Sequence, residues 1–164
     1  ERIALRNETE ARRAIDKYSD MVQRLCLIHL KNYADSEDVF QTVFLKYVLY
    51  SGTFESEEHE KAWLIRVTIN ECKDLLKSVY RKRVGFSDVL EKIVPEAAPE
   101  NRAVLEAVLT LPKKYKNVIY LHYYEGYKAT EIAKILNKKE NTIYTLLARG
   151  REQLKELIGG KDLE

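Results

Sequence analysis

Residues 128–157 read KATEIAKILNKKENTIYTLLARGREQLKEL, and this stretch decides the fold of the C-terminal third of the chain. Apolar residues line one side of a short helix over 129–136. Asn137 suits the left-handed backbone of a tight turn, and Asn141 is a good N-cap for a second helix that ends near Leu157. A short helix, a turn of about four residues and a longer second helix together predict a helix-turn-helix, the geometry that enters the DNA major groove.

The longer helix of this motif has two different sides. Its apolar side is expected to face the core and consists of Ile143, Leu147, Leu154 and Leu157. Its outward side is expected to meet DNA and carries Tyr144, Thr145, Ala148, Arg149 and Glu152. A plain helical hairpin is the alternative interpretation, but the small Ala133, where two helices must cross closely, favours DNA binding.

The composition predicts helices for the rest of the 164 residues as well. Hydrophobic residues make up 45% and charged residues 33%, while Pro (3) and Gly (6) are scarce, so we expect an all-α protein. Two cysteines without a CxxC motif fit a reducing compartment. Because no apolar run has membrane-spanning length and no signal peptide is visible, we expect a cytoplasmic protein without membrane insertion.

Three helices are predicted in the first part of the chain. The first covers about 8–33, the second is capped by Asp35 or Ser36, and the third is capped by Ser56. The buried face of the third helix is expected to contain Ala62, Ile65, Ile69, Cys72, Leu76 and Val79.

The apolar pattern fades after about residue 83 and returns near residue 101. Pro95 and Pro99 fall in this interval, although 89–93 could form one helical turn. Pro112 then opens another helix that runs to about Tyr124. The sequence therefore predicts two small helical domains, 1–84 and 101–160, joined by a flexible linker, 85–100, with the helix-turn-helix in the second domain.

The third helix carries a second candidate surface for nucleic acid. Its residues away from the core share one face at spacings of three or four: Trp63, Arg66, Asn70, Lys73 and Lys77. An aromatic ring, an amide and several cations suit single-stranded or opened DNA, in which unstacked bases need a flat surface. The alternative interpretations are a half-buried core position for Trp63 and a solvated helix end for the cations.

An enzyme is not favoured by the sequence, and we expect no catalytic residue, metal or cofactor. The histidines His29, His59 and His122 are widely spaced, and none belongs to a pattern such as HExxH. A glycine-rich phosphate loop is also missing.

The order of these motifs resembles bacterial RNA polymerase sigma factors of the sigma-70 superfamily, extracytoplasmic-function type. The resemblance covers nearly the whole chain and is carried by three stretches: 35–46 (DSEDVFQTVFLK), 61–74 (KAWLIRVTINECKD) and 111–151, which contains LPKKY, EIA and NTIYTLLARGR. It implies a promoter-specificity subunit that binds core RNA polymerase, recognises the −35 and −10 promoter elements and supports DNA melting. The polymerase performs the chemistry, so the resemblance implies no enzyme.

The resemblance also implies roles for individual residues. Asp38 and Gln41 match positions that dock on the β′ clamp helices of the polymerase, and the family also contacts the β flap. The −10 region is implied for Trp63, Arg66, Asn70, Lys73 and Lys77, with Asn70 capturing a flipped base. The −35 region is implied for Asn141, Tyr144, Thr145 and Arg149. An anti-sigma factor is a further implied partner.

Four positions depart from the family pattern. Thr42 replaces a usual Glu, Lys128 replaces a usual Ser cap, and Tyr144 and Leu146 replace usual basic residues. Upstream contact is therefore expected to depend more on shape, apolar contact or phosphate binding at a helix terminus than on arginine–guanine pairs.

The alternative function is a stand-alone helix-turn-helix regulator whose N-terminal module dimerises.

Overall fold

The computed structural model describes residues 5–78 and 99–159, and all regular structure in these two ranges is helical. The prediction of an all-α protein is confirmed for them. The chain separates into two compact units, Glu1–Ile93 and Val94–Glu164. Within the described residues, no helix combines the length and apolar character needed to cross a membrane.

The first unit contains three helices, α1 (Glu8–Leu30), α2 (Tyr33–Leu49) and α3 (Glu57–Ser78). Each helix packs against the other two. Their shared core is apolar and almost fully buried; it includes Leu25 and Ile28 of α1, Val43 and Tyr47 of α2, and Leu64 and Ile65 of α3. Burial of such side chains supplies most of the stability of a bundle this small.

The boundaries of the first two helices differ from the prediction. Helix α1 ends at Leu30 rather than near residue 33, because Lys31 adopts the left-handed conformation with φ 53°. The cap of α2 is Asn32, whose side chain accepts from the Asp35 backbone N–H at 2.9 Å, so the predicted caps Asp35 and Ser36 are wrong. Asn32, Asp35 and Ser36 can all cap a helix, and the first of them is the N-cap of α2.

Helix α3 begins as the sequence predicts, because the Ser56 hydroxyl accepts from the His59 backbone N–H at 3.1 Å. Of the expected buried face, Ile65, Ile69 and Cys72 are buried, and Ala62 is half-buried. Leu76 is 36% exposed, so its predicted core position is wrong. The apolar pattern of α3 continues to this residue, but α1 and α2 no longer cover the helix there. Val79 lies outside the described residues, as do the predicted turn at 89–93 and the linker before Pro99.

The second unit contains four helices, α4 (Pro99–Thr110), α5 (Lys113–Tyr123), α6 (Ala129–Leu136) and α7 (Glu140–Leu157). Helix α7 packs against the other three. Pro99, which falls inside the predicted linker, is the first residue of α4, and Pro112, which is predicted to open the next helix, is the N-cap of α5. Both still occupy helix starts, where a missing backbone N–H costs nothing.

Candidate nucleic-acid and partner interfaces

The outer side of α3 forms an exposed polar surface. Arg66, Asn70, Lys73 and Lys77 are all exposed, and we call them the α3 face. Because α3 is continuous from Glu57 to Ser78, their spacing places them in one row along about three turns. The predicted shared face is therefore present, and the exposed Asp74 stands at its edge, one turn after Asn70.

Trp63 stands one turn before this row and is half-buried. It packs in an aromatic cluster with Tyr47, Tyr50 and Phe54, whose ring centroids lie 6.1, 4.9 and 5.7 Å from the Trp63 ring. The half-buried position given as the alternative for Trp63 is confirmed, and its role in DNA binding stays a prediction. The ring is anchored on one side by its neighbours and retains exposed area beside the α3 face.

A buried carboxylate is hydrogen-bonded to one member of this aromatic cluster. Glu60 is only 3% exposed and accepts from the Tyr47 hydroxyl at 2.6 Å. The Arg13 guanidinium donates to both of its oxygens at 2.7 and 3.0 Å. Burial alone would raise the pKa of Glu60, but the hydrogen bonds from Tyr47 and Arg13 hold that pKa below its ordinary value.

The pKa values of the two tyrosines beside Glu60 are raised, whereas that of Glu60 is lowered. Burial, with the negative charge of Glu60 as a further cause, raises the pKa of Tyr18 to about 12. Burial and the hydrogen bond to Glu60 likewise raise the pKa of Tyr47. Both phenols therefore stay neutral at physiological pH, and the Tyr47 hydroxyl remains a donor that fixes its ring in the aromatic cluster.

The exposed side of α2 contains the residues expected to bind a protein partner. Asp38, Gln41 and Thr42 are exposed, and the Thr42 hydroxyl donates to the Asp38 backbone carbonyl at 3.0 Å. Leu45, 58% exposed, continues the same side of the helix. We call these four residues the α2 face. An apolar side chain beside polar ones is typical of the composition of protein interfaces.

The helix-turn-helix is formed by α6 and α7. Asn137 ends α6 in the left-handed conformation with φ 55°, as predicted, and the Lys138 N–H donates to the Ala133 carbonyl at 2.8 Å. The predicted cap Asn141 is wrong. Lys139 occupies the N-cap position without a side-chain hydrogen bond, and α7 begins at Glu140. Asn141 instead lies in the first turn of α7, where its carbonyl accepts from the Thr145 hydroxyl at 3.0 Å.

The two sides of α7 are largely as the sequence predicts. Ile143, Leu147 and Leu154 are buried, but Leu157 is 54% exposed because it lies in the final turn, and its expected core position is wrong. The outward residues Asn141, Tyr144, Thr145 and Arg149 are all exposed, and we call them the recognition face. Their roles in DNA binding stay predictions, as do those of the α3 face and the α2 face.

Three features of the second unit escaped the sequence analysis. A cleft beside the recognition face is lined by His122, Lys128, Thr130, Tyr144, Leu147 and Arg151. The Arg151 guanidinium is held there by the Tyr123 hydroxyl at 3.1 Å. In place of a Ser cap on α6, the Glu131 side chain accepts from the Lys128 backbone N–H at 2.9 Å. Finally, Gly150 is buried against α5, where a Cβ would lie 3.0 Å from Ile119 Cγ1.

Within residues 5–78 and 99–159, no group of three or more His, Cys, Asp or Glu is arranged to hold a metal ion. His29 is buried, with Nδ1 2.8 Å from the Leu25 carbonyl. His122 has Nδ1 2.7 Å from the Tyr127 carbonyl. These contacts use the histidines as structural hydrogen-bonding groups within the helical units.

Comparison with protein families gives two matches in the same order as the motifs. The model for sigma-70 region 2 matches residues 14–82, and the model for sigma-70 region 4 matches residues 101–154. The first match contains the α2 face, the aromatic cluster and the α3 face. The second contains α6, most of α7 and the whole recognition face.

Curated relatives match across most of the chain. The ECF RNA polymerase sigma factor SigW of Bacillus subtilis is 27% identical, over 88% of this chain and 86% of that protein. The ECF RNA polymerase sigma factor BldN of Streptomyces coelicolor is 30% identical, over 89% of this chain and 59% of its own length. Among solved structures, the sigma factor RpoE of Bartonella quintana, in complex with the anti-sigma factor NepR, has the same fold. Its TM-score is 0.76 at 17% identity, covering 94% of this chain and 99% of that one.

Proposed function

The chain belongs to the sigma-70 family, extracytoplasmic-function type, and is a promoter-specificity subunit of RNA polymerase; from that premise we propose how its surfaces divide the work. The first unit binds the polymerase and the −10 element, and the second binds the −35 element. The divisions at 1–84 and 101–160, with a connecting segment at 85–100, are part of this proposal. The subunit acts in the cytoplasm and leaves the polymerization chemistry to the polymerase.

The α3 face, with Trp63, binds the −10 region as it opens. The observation that carries this assignment is the continuous exposed row of one amide and three cations on α3, which starts beside a half-buried indole. The cations contact phosphates, Trp63 stacks on an exposed base, and Asn70 hydrogen-bonds the edge of a flipped base. Extruding a base costs a few kcal/mol of lost stacking, so such a surface favours open over closed DNA.

The recognition face binds the −35 region in the major groove. Only Arg149 among its four residues is cationic, and Tyr144 is 54% exposed. Arg149 therefore supplies the charged contact, while Tyr144, Thr145 and Asn141 add apolar and hydrogen-bonding contacts. Lys128 and Arg151, which line the neighbouring cleft, are suited to phosphates of the DNA backbone.

Protein partners bind the remaining surfaces. Asp38 and Gln41 on the α2 face dock on the β′ clamp helices, and the second unit contacts the β flap. The Asp38 carboxylate and the Gln41 amide, with Thr42 beside them, make polar contacts with the polymerase. Leu45 adds apolar area to the same interface. We also propose an anti-sigma factor as a regulatory partner; the supporting fact is that the fold neighbour from Bartonella quintana is bound to one.

Transcription from a randomised promoter library tests this function. The full chain is combined with core RNA polymerase and DNA fragments in which both the −35 and the −10 windows are randomised, and the transcripts are sequenced. Two enriched sequence blocks at a fixed spacing upstream of the start sites are expected. Reactions without the chain are the control, and the same start sites in those reactions would contradict the proposal.

A further inference from the structure

Arg6 precedes α1 and is bound to the far end of α2. Its backbone N–H donates to the Val48 carbonyl at 3.0 Å, and its Nε donates to the Tyr47 carbonyl at 3.0 Å. Carbonyls in the last turn of a helix have no partner within that helix, and a cation is favourable at this end of the helix dipole. Arg6 therefore completes the C-terminus of α2 from more than forty residues away.

The same guanidinium also fixes the turn that connects α2 with α3. Its Nη2 donates to the Gly52 carbonyl at 2.6 Å, and its Nη1 pairs with Glu10 at 2.8 Å. A Cβ on Gly52 would collide with the Tyr50 ring, so the turn is folded closely on itself. The Arg6 side chain is 9% exposed, which means that a charged group has been buried to hold this turn in place.

Arg6 further packs on the aromatic cluster. Its Cζ lies 4.8 Å from the ring centroids of Tyr47 and Phe54 and 5.6 Å from that of Tyr50. A guanidinium over the face of an aromatic ring is attracted to it and holds it in position. These three rings are the ones that surround Trp63. The Arg6 side chain thus contacts all members of the aromatic cluster except Trp63 itself.

We propose that Arg6 is a positioning residue for promoter opening. It fixes the 50–56 turn and the aromatic cluster so that the Trp63 ring stands ready at the end of the α3 face, and it contacts no DNA itself, because its side chain is covered. The inference rests on the proposed function of Trp63 and the α3 face. An aromatic surface ordered in advance avoids the entropy cost of ordering it when an unstacked base arrives.

The test is Arg6→Lys in the full chain with core RNA polymerase, on the promoter that the randomised library selects. Lysine keeps the charge but cannot bond two carbonyls and a carboxylate in one plane. Open complex, measured by the permanganate reactivity of thymines near the start site, is expected to fall about tenfold, as when a charged hydrogen bond is lost. Polymerase affinity is expected to stay unchanged.

Trp63 provides a spectroscopic readout of the aromatic cluster, measured under conditions in which circular dichroism shows both proteins to be fully folded, because unfolding would also expose the indole. The chain has one tryptophan, so its fluorescence reports on the cluster directly. Arg6→Lys is expected to shift the emission to longer wavelength in the folded protein, because Tyr50 and Phe54 cover the indole less well. The matched control is Arg12→Lys, which alters an arginine whose side chain is 75% exposed, paired with Glu8. It is expected to change neither opening nor emission.

Trp63→Ala separates this inference from the proposed function beneath it. If Trp63→Ala leaves opening unchanged, the proposed role of Trp63 is wrong. If Trp63→Ala lowers opening but Arg6→Lys does not, only the positioning role is wrong. If both lower it, the double variant is expected to open no less DNA than Trp63→Ala alone, because residues that act through one contact are not additive; additive losses would overturn the proposal.

A second variant keeps the test decisive if Arg6→Lys reduces folding. Gly52→Ala displaces the Tyr50 ring and leaves the Arg6 side chain in the protein. It is expected to lower opening and shift the Trp63 emission in the same direction. Normal opening by a folded Gly52→Ala protein would mean that the conformation of the turn is unimportant, and would overturn the proposal.

Discussion

Asn70 is the only amide in the α3 face, between cations on either side of it. An amide can donate to and accept from a base edge, whereas the cations can only donate. Gln41 is also an exposed amide, but it lies on α2 among residues that resemble a protein-binding surface. The two residues thus offer the same chemistry at two different surfaces, which makes them a matched pair for separating DNA binding from polymerase binding.

Asn70→Ala is expected to reduce opening at promoters that depend on their −10 bases and to leave polymerase binding intact, since base contacts contribute about 1–3 kcal/mol each. Gln41→Ala is expected to weaken polymerase binding, and its promoter opening is expected to recover when the polymerase concentration is raised. Polymerase affinity is measured by pulldown and opening by permanganate reactivity. Equal loss of polymerase binding in both variants would contradict the assigned division of roles.

Arg149 is the cation of the recognition face. Arg149→Ala in the holoenzyme is expected to weaken the preference for the −35 sequence and to reduce the salt dependence of binding by about one counterion. The control is Lys155→Ala, which removes an exposed cation from the last turn of the same helix. An unchanged −35 footprint with Arg149→Ala would show that this residue does not read the promoter.

At the scale of the elements, Glu60 connects α1, α2 and α3 through Arg13 and Tyr47. Glu60→Gln is expected to lower the free energy of unfolding of the first unit by about 1–3 kcal/mol, because buried donors lose their charged acceptor. Unfolding in urea provides the measurement. Glu58→Gln, an exposed position in the same first turn, is the control and is expected to change little.

The effect of Glu60 also depends on pH. Because the folded state lowers the pKa of this carboxyl, its contribution to stability is present above the ordinary value of 4.5 and is lost as pH falls through the lower folded pKa. The difference between parent and Glu60→Gln is therefore expected to be largest near neutral pH and to shrink in acid. A difference that grows in acid would mean that the pKa is raised instead.

Asn137 fixes the turn between α6 and α7 with a φ of 55°. Asn137→Ala is expected to destabilise the second unit by about 1 kcal/mol, because a Cβ without a local polar partner disfavours the left-handed region. Asn137→Gly is expected to be nearly neutral. Thermal unfolding of the two variants compares them directly, and equal stability would contradict this account of the turn.

The sequence predicts α6 to the residue and the turn at Asn137, because the apolar period and a left-handed cap agree there. It misplaces the starts of α2 and α7, since several cap-forming residues compete within a few positions at Asn32 and no side chain caps α7 at all. Leu76 and Leu157 follow the apolar period but extend beyond the packing of the neighbouring helices.

The candidate surfaces follow from helical spacing, which is a local property and can be read from the sequence. The buried charged residues that hold these surfaces in place cannot be read from the sequence. Arg6 meets the carbonyls of Tyr47 and Gly52 across more than forty residues, and Glu60 meets Arg13 across 47. No local pattern distinguishes either residue from an ordinary solvated charge, so only the three-dimensional structure identifies them.

At the scale of the whole molecule, the two matched regions account for both units of the chain. Region 2 covers residues 14–82 and region 4 covers residues 101–154. We propose that neither unit binds a promoter tightly alone and that the polymerase holds both for simultaneous contact. Linked contacts then bind far better than either one separately.

Footprinting of the selected promoter with and without core RNA polymerase tests whether the two units bind the promoter only when the polymerase holds them both. The chain alone is expected to give no sequence-specific protection of duplex DNA. With polymerase, protection of the −35 and −10 elements and permanganate-reactive thymines near the start site are expected together. Strong sequence-specific protection by the chain alone, unchanged by polymerase and without reactive thymines, would contradict the account and indicate a stand-alone helix-turn-helix regulator.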